Sequence, residues 1–236
     1  MNILPVNQKA LALRFPELLQ AIARLPENPT KLTAGSGKDF QFTLGHHHFH
    51  PYRGATHNEL VDRWVESLAS RLKQPETLFA VTGFGDGTHL RALLKAAEAD
   101  SQFFVGEQSP AQFGEVLSRI DCSDILADTR CIFATGPINQ SFFKTLSFVE
   151  FNHIKNAHPL YFSPLASANE AYYNRFLGQL AQSFEVHLRT YRAMFNDSGF
   201  YQETTIQNLP GLLSQPDVSA LQGLLSGRAM VLVDSR

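Results

Sequence analysis

Cysteine, tryptophan and charge are all scarce in this chain. Of its 236 residues two are Cys, one is Trp, and Asp, Glu, Lys and Arg together make up 18%. Cys122 and Cys131 have no second pair, which excludes a disulfide framework and a cysteine zinc module; two reduced, buried thiols are expected. Twenty basic residues against 22 acidic ones give a formal net charge of −2, so no overall attraction to nucleic acid or to an anionic membrane is encoded. The N-terminus lacks a basic patch followed by an apolar run, and no apolar stretch approaches the ~18 residues needed to cross a bilayer. The expected location is therefore the cytoplasm, without a membrane partner. Also missing are a G-x-S-x-G elbow and an H-E-x-x-H pair, and the only basic neighbour of a cysteine is Arg130, so no nucleophile stands out.

What the chain does have is a core. Apolar residues account for 44% and Phe alone for 19 positions, enough to fill a substantial interior with rings drawn from several elements. Leu11, Leu13, Phe15, Leu18, Leu19, Ile22 and Leu25 repeat at helical spacing around Pro16, which predicts two short helices or one kinked helix, followed by a loop over 26–37 and a short strand near 40–44. Thr56 with Glu59 forms a capping box ahead of Leu60, Val61, Trp64, Val65, Leu68 and Leu72, so a helix is expected over 57–73. Strands are then predicted at 77–82, 102–106, 130–134 and near 146–151, with helices at 88–98 and 110–119 between them.

Such alternation predicts an α/β fold: a Rossmann-like, doubly wound, mostly parallel sheet with helical N- and C-terminal extensions. The expected division is 1–55 for the N-terminal extension, which reads as an appendage, 56–165 for the α/β core, and 166–236 for the C-terminal part. That last part should hold a long helix over 168–195, a further helical region from Asn208-Leu-Pro210, and a final buried-type strand within Gly227-Arg-Ala-Met-Val-Leu-Val233. A strand at that place can pair with another chain, giving self-association or a protein partner.

The most informative segment is Thr77-Leu-Phe-Ala-Val-Thr-Gly-Phe-Gly-Asp-Gly-Thr-His-Leu90, where an apolar strand breaks into three alternate glycines and then opens a helix. Gly83, Gly85 and Gly87 permit positive φ and close approach of a ligand, Asp86 sits among them, and the helix start directs free N–H groups at the same spot. Glu107 ends the next strand 24 residues after Gly83, near the ~20-residue offset at which an acidic residue reads ribose hydroxyls. Gly83, Gly85, Asp86, Gly87 and Glu107 are thus the candidate cofactor-binding residues, for S-adenosylmethionine or another nucleotide. Methyltransferases that use S-adenosylmethionine look similar here, but they also carry an acidic residue two positions before the first glycine, where this chain has Val81. The competing reading is that the glycines only make a tight strand-to-helix turn.

Two further clusters invite chemistry. His46, His48 and His50 fall on alternate positions, yet no carboxylate or Cys accompanies them at supporting spacing, so no metal site is expected. Arg189 and Arg192 place two cations on one helix face, which reads as solvated surface.

Taken in order, several of these segments resemble the motility accessory factor proteins, a family related to an archaeal 6-hydroxymethylpterin diphosphokinase, whose bacterial members transfer sialic-acid-like sugars to flagellin. The matching pieces are the glycine-rich segment 79–90, Phe104-Val-Gly-Glu107, Leu126-Ala-Asp-Thr-Arg-Cys-Ile-Phe133, Gly136-Pro137, His158-Pro159, Tyr173, and Thr190 through Asn208-Leu-Pro210 and Gly227 to Val233. In that family the last strand leads into a glycine-rich turn that opens the catalytic domain, whereas here Val233 is followed by Asp234-Ser-Arg236. The resemblance therefore implies an N-terminal module without the part that performs sugar transfer: a non-catalytic binding or interaction role in protein glycosylation or motility. The alternative is an enzyme that is methyltransferase-like or otherwise nucleotide-binding at the Gly83–Gly87 turn.

Overall fold

The computed structural model describes residues 2–25, 42–44, 47–49, 57–139, 142, 146, 149, 151–154 and 156–213. The chain divides into two compact units, Met1–Glu185 and Val186–Arg236. In the first, β3 (Leu78–Thr82), β4 (Gln102–Glu107), β5 (Cys131–Thr135) and β6 (Ala157–Leu160) form one parallel sheet in the order β5-β4-β3-β6. The chain starts in the middle with β3, moves outward through β4 to β5, and returns to the far side of β3 as β6. That order is the Rossmann-like one, and it puts the topological switch point between the carboxyl ends of β3 and β6. Strands β1 (Phe42–Leu44) and β2 (His47–Phe49) form a separate antiparallel pair.

Alternation along the strands gives the sheet two covered faces. Phe79, Val81, Phe103, Val105, Cys131 and Phe133 join one buried cluster with residues of α1 (Pro5–Arg14), α2 (Pro16–Ala23), α3 (His57–Ser67), α5 (Thr88–Ala96) and α6 (Pro110–Arg119). Phe84 meets Phe113 edge-on there at 4.6 Å between centroids. On the opposite face, helix α10 (Glu170–Leu213) sets Phe176 against Phe104, with Phe142 at the edge of Phe176. The abundant phenylalanines thus serve both sides of the sheet.

Local chemistry accounts for most of the boundaries. Pro5 and Pro16 each sit at the first turn of a helix, so Pro16 starts α2 instead of kinking α1. Ser109 caps α6 by accepting the Gln112 N–H at 3.1 Å, one residue before Pro110. The stripe expected over 57–73 is helical but interrupted at Leu68, giving α3 and a short α4 (Ala69–Leu72) that still buries Val61, Leu68 and Leu72.

The structure departs from the sequence reading in four places. The fourth parallel strand is β6 at Ala157–Leu160 and not the one expected near 146–151, at whose last residue a short helix, Phe151–Ile154 (α8), begins. Short apolar runs are ambiguous between strand and buried helix, and Pro159 speaks against a strand by sequence. It is tolerated because Leu78 N–H donates to the Asn156 carbonyl at 3.2 Å, an alternation that turns Asn156, His158 and Leu160 toward β3 and leaves Pro159 facing the open edge. A short helix α7 (Ser123–Ala127) precedes β5. Helix α10 runs without a break through Pro210 to Leu213, past a stretch around Asn196–Gly199 that has no apolar stripe to betray it. The N-terminal helices are built into the core and not appended: Ile3, Leu11 and Ile22 are buried. The final strand expected within 227–233 lies outside the described residues.

Helix α1 is tied down by two side chains that hydrogen-bond to distant backbone. Asn7 donates to the Leu117 and Ile120 carbonyls at 2.8 and 2.7 Å and accepts from the Cys122 N–H at 2.8 Å. Arg14 donates to the carbonyls of Leu126, Thr129 and Cys131 at 3.0, 3.2 and 3.0 Å, and to that of Asp128. Asn7→Ala is expected to destabilise the fold by about 2 kcal/mol, because around a fully buried position it takes the amide partner from the Ile120 carbonyl and the Cys122 N–H, while the Leu117 carbonyl keeps the Leu4 N–H at 3.1 Å. Urea unfolding of the pair of proteins measures it; a change within ~0.5 kcal/mol would show that water replaces the amide there.

Candidate functional site

Strand β3 is buried throughout, and the chain leaves it through Gly83, Gly85 and Gly87 at φ +81°, +54° and +84° before entering α5. All three glycines adopt the left-handed conformation that a side chain makes costly, as the sequence pattern implied. Gly83 N–H donates to the Gly106 carbonyl at 2.8 Å, continuing the ladder with β4. The turn and Glu107 are therefore neighbours in space.

Their functional groups face one another. The Glu107 carboxylate accepts from the Phe84 N–H through Oε2 at 3.0 Å and from the Ser109 N–H through Oε1 at 2.9 Å. It is 4% exposed, and burial pushes its pKa above the usual carboxylate range, while the amides of Phe84, Ser109 and Gln108 pull the other way. Asp86 is likewise turned to local work: Oδ1 accepts the Thr88 N–H at 3.0 Å and Oδ2 the Thr88 hydroxyl at 3.1 Å, at the start of α5. Both carboxylates hold the turn in shape.

The space over the turn is filled by the protein itself. A Cβ at Gly83 would stand 3.1 Å from the Tyr173 hydroxyl and 3.3 Å from Leu165, and one at Gly87 2.6 Å from the Ile125 Cδ1. At the switch point Thr82 bridges the two strands, donating to the Leu160 carbonyl at 3.4 Å and accepting from the Phe162 N–H at 3.1 Å. His89, fully buried, lies 3.1 Å from the Gly83 carbonyl through Nε2, and its ring stacks on Phe162 at 4.9 Å between centroids. The crevice in which this fold class receives a dinucleotide is packed with Thr82, His89, Phe162, Leu165 and Tyr173.

Open space lies one strand away. A cleft of about 790 Å³ sits at the carboxyl ends of β4 and β5, lined by Gln108, Gly136, Pro137, Asn169, Tyr172 and Arg175 among others. The Tyr172 hydroxyl donates to the Gly136 carbonyl at 2.8 Å and lies 3.5 Å from that of Glu107. Burial, with the Glu107 charge adding to it, pushes the Tyr172 phenol above its usual range, so it stays a donor. Sequence reasoning pointed at none of these side chains. Gly136-Pro137 is legible as a turn after a strand, but nothing local in sequence brings Tyr172 and Arg175 to it.

The remaining candidates resolve simply. Both cysteines are free and buried; burial pushes the Cys122 thiol up to about 12 against the pull of Arg91, and pushes that of Cys131 up as well, so neither supplies a thiolate. Arg130 is engaged by Asp128 at 2.8 Å. His46 and His50, and the side chains of His47, His48 and Arg192, lie outside what is described; among the described residues no group of three His, Cys, Asp or Glu side chains is placed to hold a metal. Among the described residues, too, no helix is long and apolar enough to cross a membrane.

No protein-family model, curated protein or solved structure matches the chain.

Proposed function

We propose that the chain is a non-catalytic Rossmann-like module related to the N-terminal domain of the motility accessory factor proteins, acting by recognition in protein glycosylation or motility. The observation that carries this reading is the inward commitment of the glycine turn. Both oxygens of Glu107 are taken by backbone amides and both of Asp86 by Thr88, and Leu165 and Tyr173 occupy the space a cofactor would need. What remains of the fingerprint is its architectural half: positive φ and a tight strand-to-helix passage. Recognition then falls to a protein partner or a second copy, and the apolar run at 229–233 is the segment we assign to that contact on its sequence.

Thermal unfolding with S-adenosylmethionine and S-adenosylhomocysteine tests this directly, since a ligand at ~100 times its dissociation constant adds ~2.7 kcal/mol of stability. No rise in Tm is expected with either, and no sugar transfer from a CMP-activated nonulosonic acid by the purified chain. A rise that disappears in Glu107→Gln would restore the methyltransferase-like reading, and transfer activity would overturn the non-catalytic one.

A further inference from the structure

We propose that the cleft at the carboxyl ends of β4 and β5 binds a mononucleotide, with Arg175 holding its phosphate. This site is distinct from the glycine turn, and it does not rest on the recognition role proposed above. In an open parallel sheet the loops at the carboxyl ends are where ligands meet the protein. Here the usual crevice between β3 and β6 is filled, and the accessible space is displaced toward β5. Its volume of about 790 Å³ lies within the range of small-molecule sites.

The walls of the cleft have complementary chemistry. Gly136, at φ +92°, turns the chain away from the end of β5, and Pro137 and Ile138 follow as an apolar side. Tyr172 forms a fixed aromatic wall: its hydroxyl is bonded to the Gly136 carbonyl, its N–H donates to Asn169 Oδ1 at 3.1 Å, and the Tyr173 ring backs it edge-on at 5.1 Å. A planar base has an apolar and aromatic surface to lie against.

Polar groups are left over on the same walls. Asn169 spends its oxygen on the Tyr172 N–H, which leaves its amide nitrogen to donate, and the half-buried Gln108 side chain offers both a donor and an acceptor. Carboxamides of this kind read the edge of a base. Among the described residues no acidic side chain pairs with the exposed Arg175 guanidinium, in contrast to Arg91, Arg119 and Arg130, which are held by Asp124, Glu115 and Asp128. Among the described residues no acidic side chain lines the cleft. Glu170, five residues before Arg175, bears on the Tyr161 phenol, and the Glu107 carboxylate is held below by the amides of Phe84 and Ser109. An exposed planar fork of donors in a cleft whose described lining carries no acid matches a phosphate.

Titration calorimetry of the full chain with AMP, GMP, CMP and UMP, each beside its nucleoside and beside inorganic phosphate, tests the assignment. At least one monophosphate is expected to bind with a dissociation constant below about 1 mM. Its nucleoside should bind at least tenfold more weakly, and inorganic phosphate should compete with it. Arg175→Gln, at an exposed position where an unchanged melting curve is expected, should weaken that binding roughly tenfold or more. Arg71→Gln, a distant exposed cation, should leave it unaltered. Absence of binding by all four monophosphates, equal binding of the nucleoside, or full affinity in Arg175→Gln would each overturn the proposal.

Discussion

Glu107→Ala is expected to lower the stability of the fold by about 3 kcal/mol, since removing a side chain only 4% exposed leaves the buried amide of Phe84 and the half-buried amide of Ser109 without an acceptor. For a domain of this size the Tm should fall by roughly 2–4 °C for each kcal/mol. Glu107→Gln keeps the shape and one acceptor oxygen, so its loss at neutral pH should be smaller. The two forms also part company with pH. Burial raises the Glu107 pKa in the folded state, so the native protein holds this proton more tightly than the unfolded chain does. The stability it contributes is fully present below the ordinary glutamate value of about 4.3 and is lost as pH rises through the raised folded value. Melting curves from acid to neutral pH should show the parent losing stability relative to Glu107→Gln over that window. Parallel profiles would show that the carboxylate is not desolvated as the structure places it.

The second large effect belongs to Phe176. Its ring is fully buried, stacks on Phe104 at 6.0 Å between centroids and lies across the backbone of Gly106, where a Cβ would stand 2.7–2.9 Å from three ring carbons. Phe176→Ala should cost about 3–5 kcal/mol, the transfer term plus the cavity left behind. Gly106→Ala alone should cost about 1–3 kcal/mol through overlap with that ring. Combined, they should cost less than the sum, because the added methyl occupies space the ring has vacated; urea unfolding of the four proteins gives the coupling. Strict additivity would mean that the first turns of α10 are not docked on β4. The glycine inside this strand admits an aromatic ring of the protein's own.

The same contrast between type and direction separates what was legible from what was not. Positive φ at residues 83, 85 and 87 follows from residue identity, because only glycine takes it without strain. The start of α6 follows from a serine and a proline one after the other. Glu107 is different: its sequence offset is right for a ribose contact, yet the offset is equally served by a carboxylate that turns inward to cap its own loop. Pro159 is the converse case. Its missing N–H argued against a strand, and the register alone shows that the missing donor falls on the outer edge of β6. The cleft was illegible altogether, since Gln108, Gly136 and Tyr172 are brought together only when α10 crosses the ends of β4 and β5.

Alternating apolar strands and helical stripes, punctuated by glycine and proline, were sufficient to determine an α/β, Rossmann-like sheet with its first turn at Gly83, because burial periodicity and backbone sterics are local properties of the chain. Tertiary structure alone decided which way each polar group points and which space stays open. Those outcomes depend on side chains far apart in sequence: Leu165 and Tyr173 fill the turn, Thr82 and Phe162 seal the switch point, and Gly136, Tyr172 and Arg175 leave a cleft beside it. Close packing allows a site to exist only where distant residues happen not to meet.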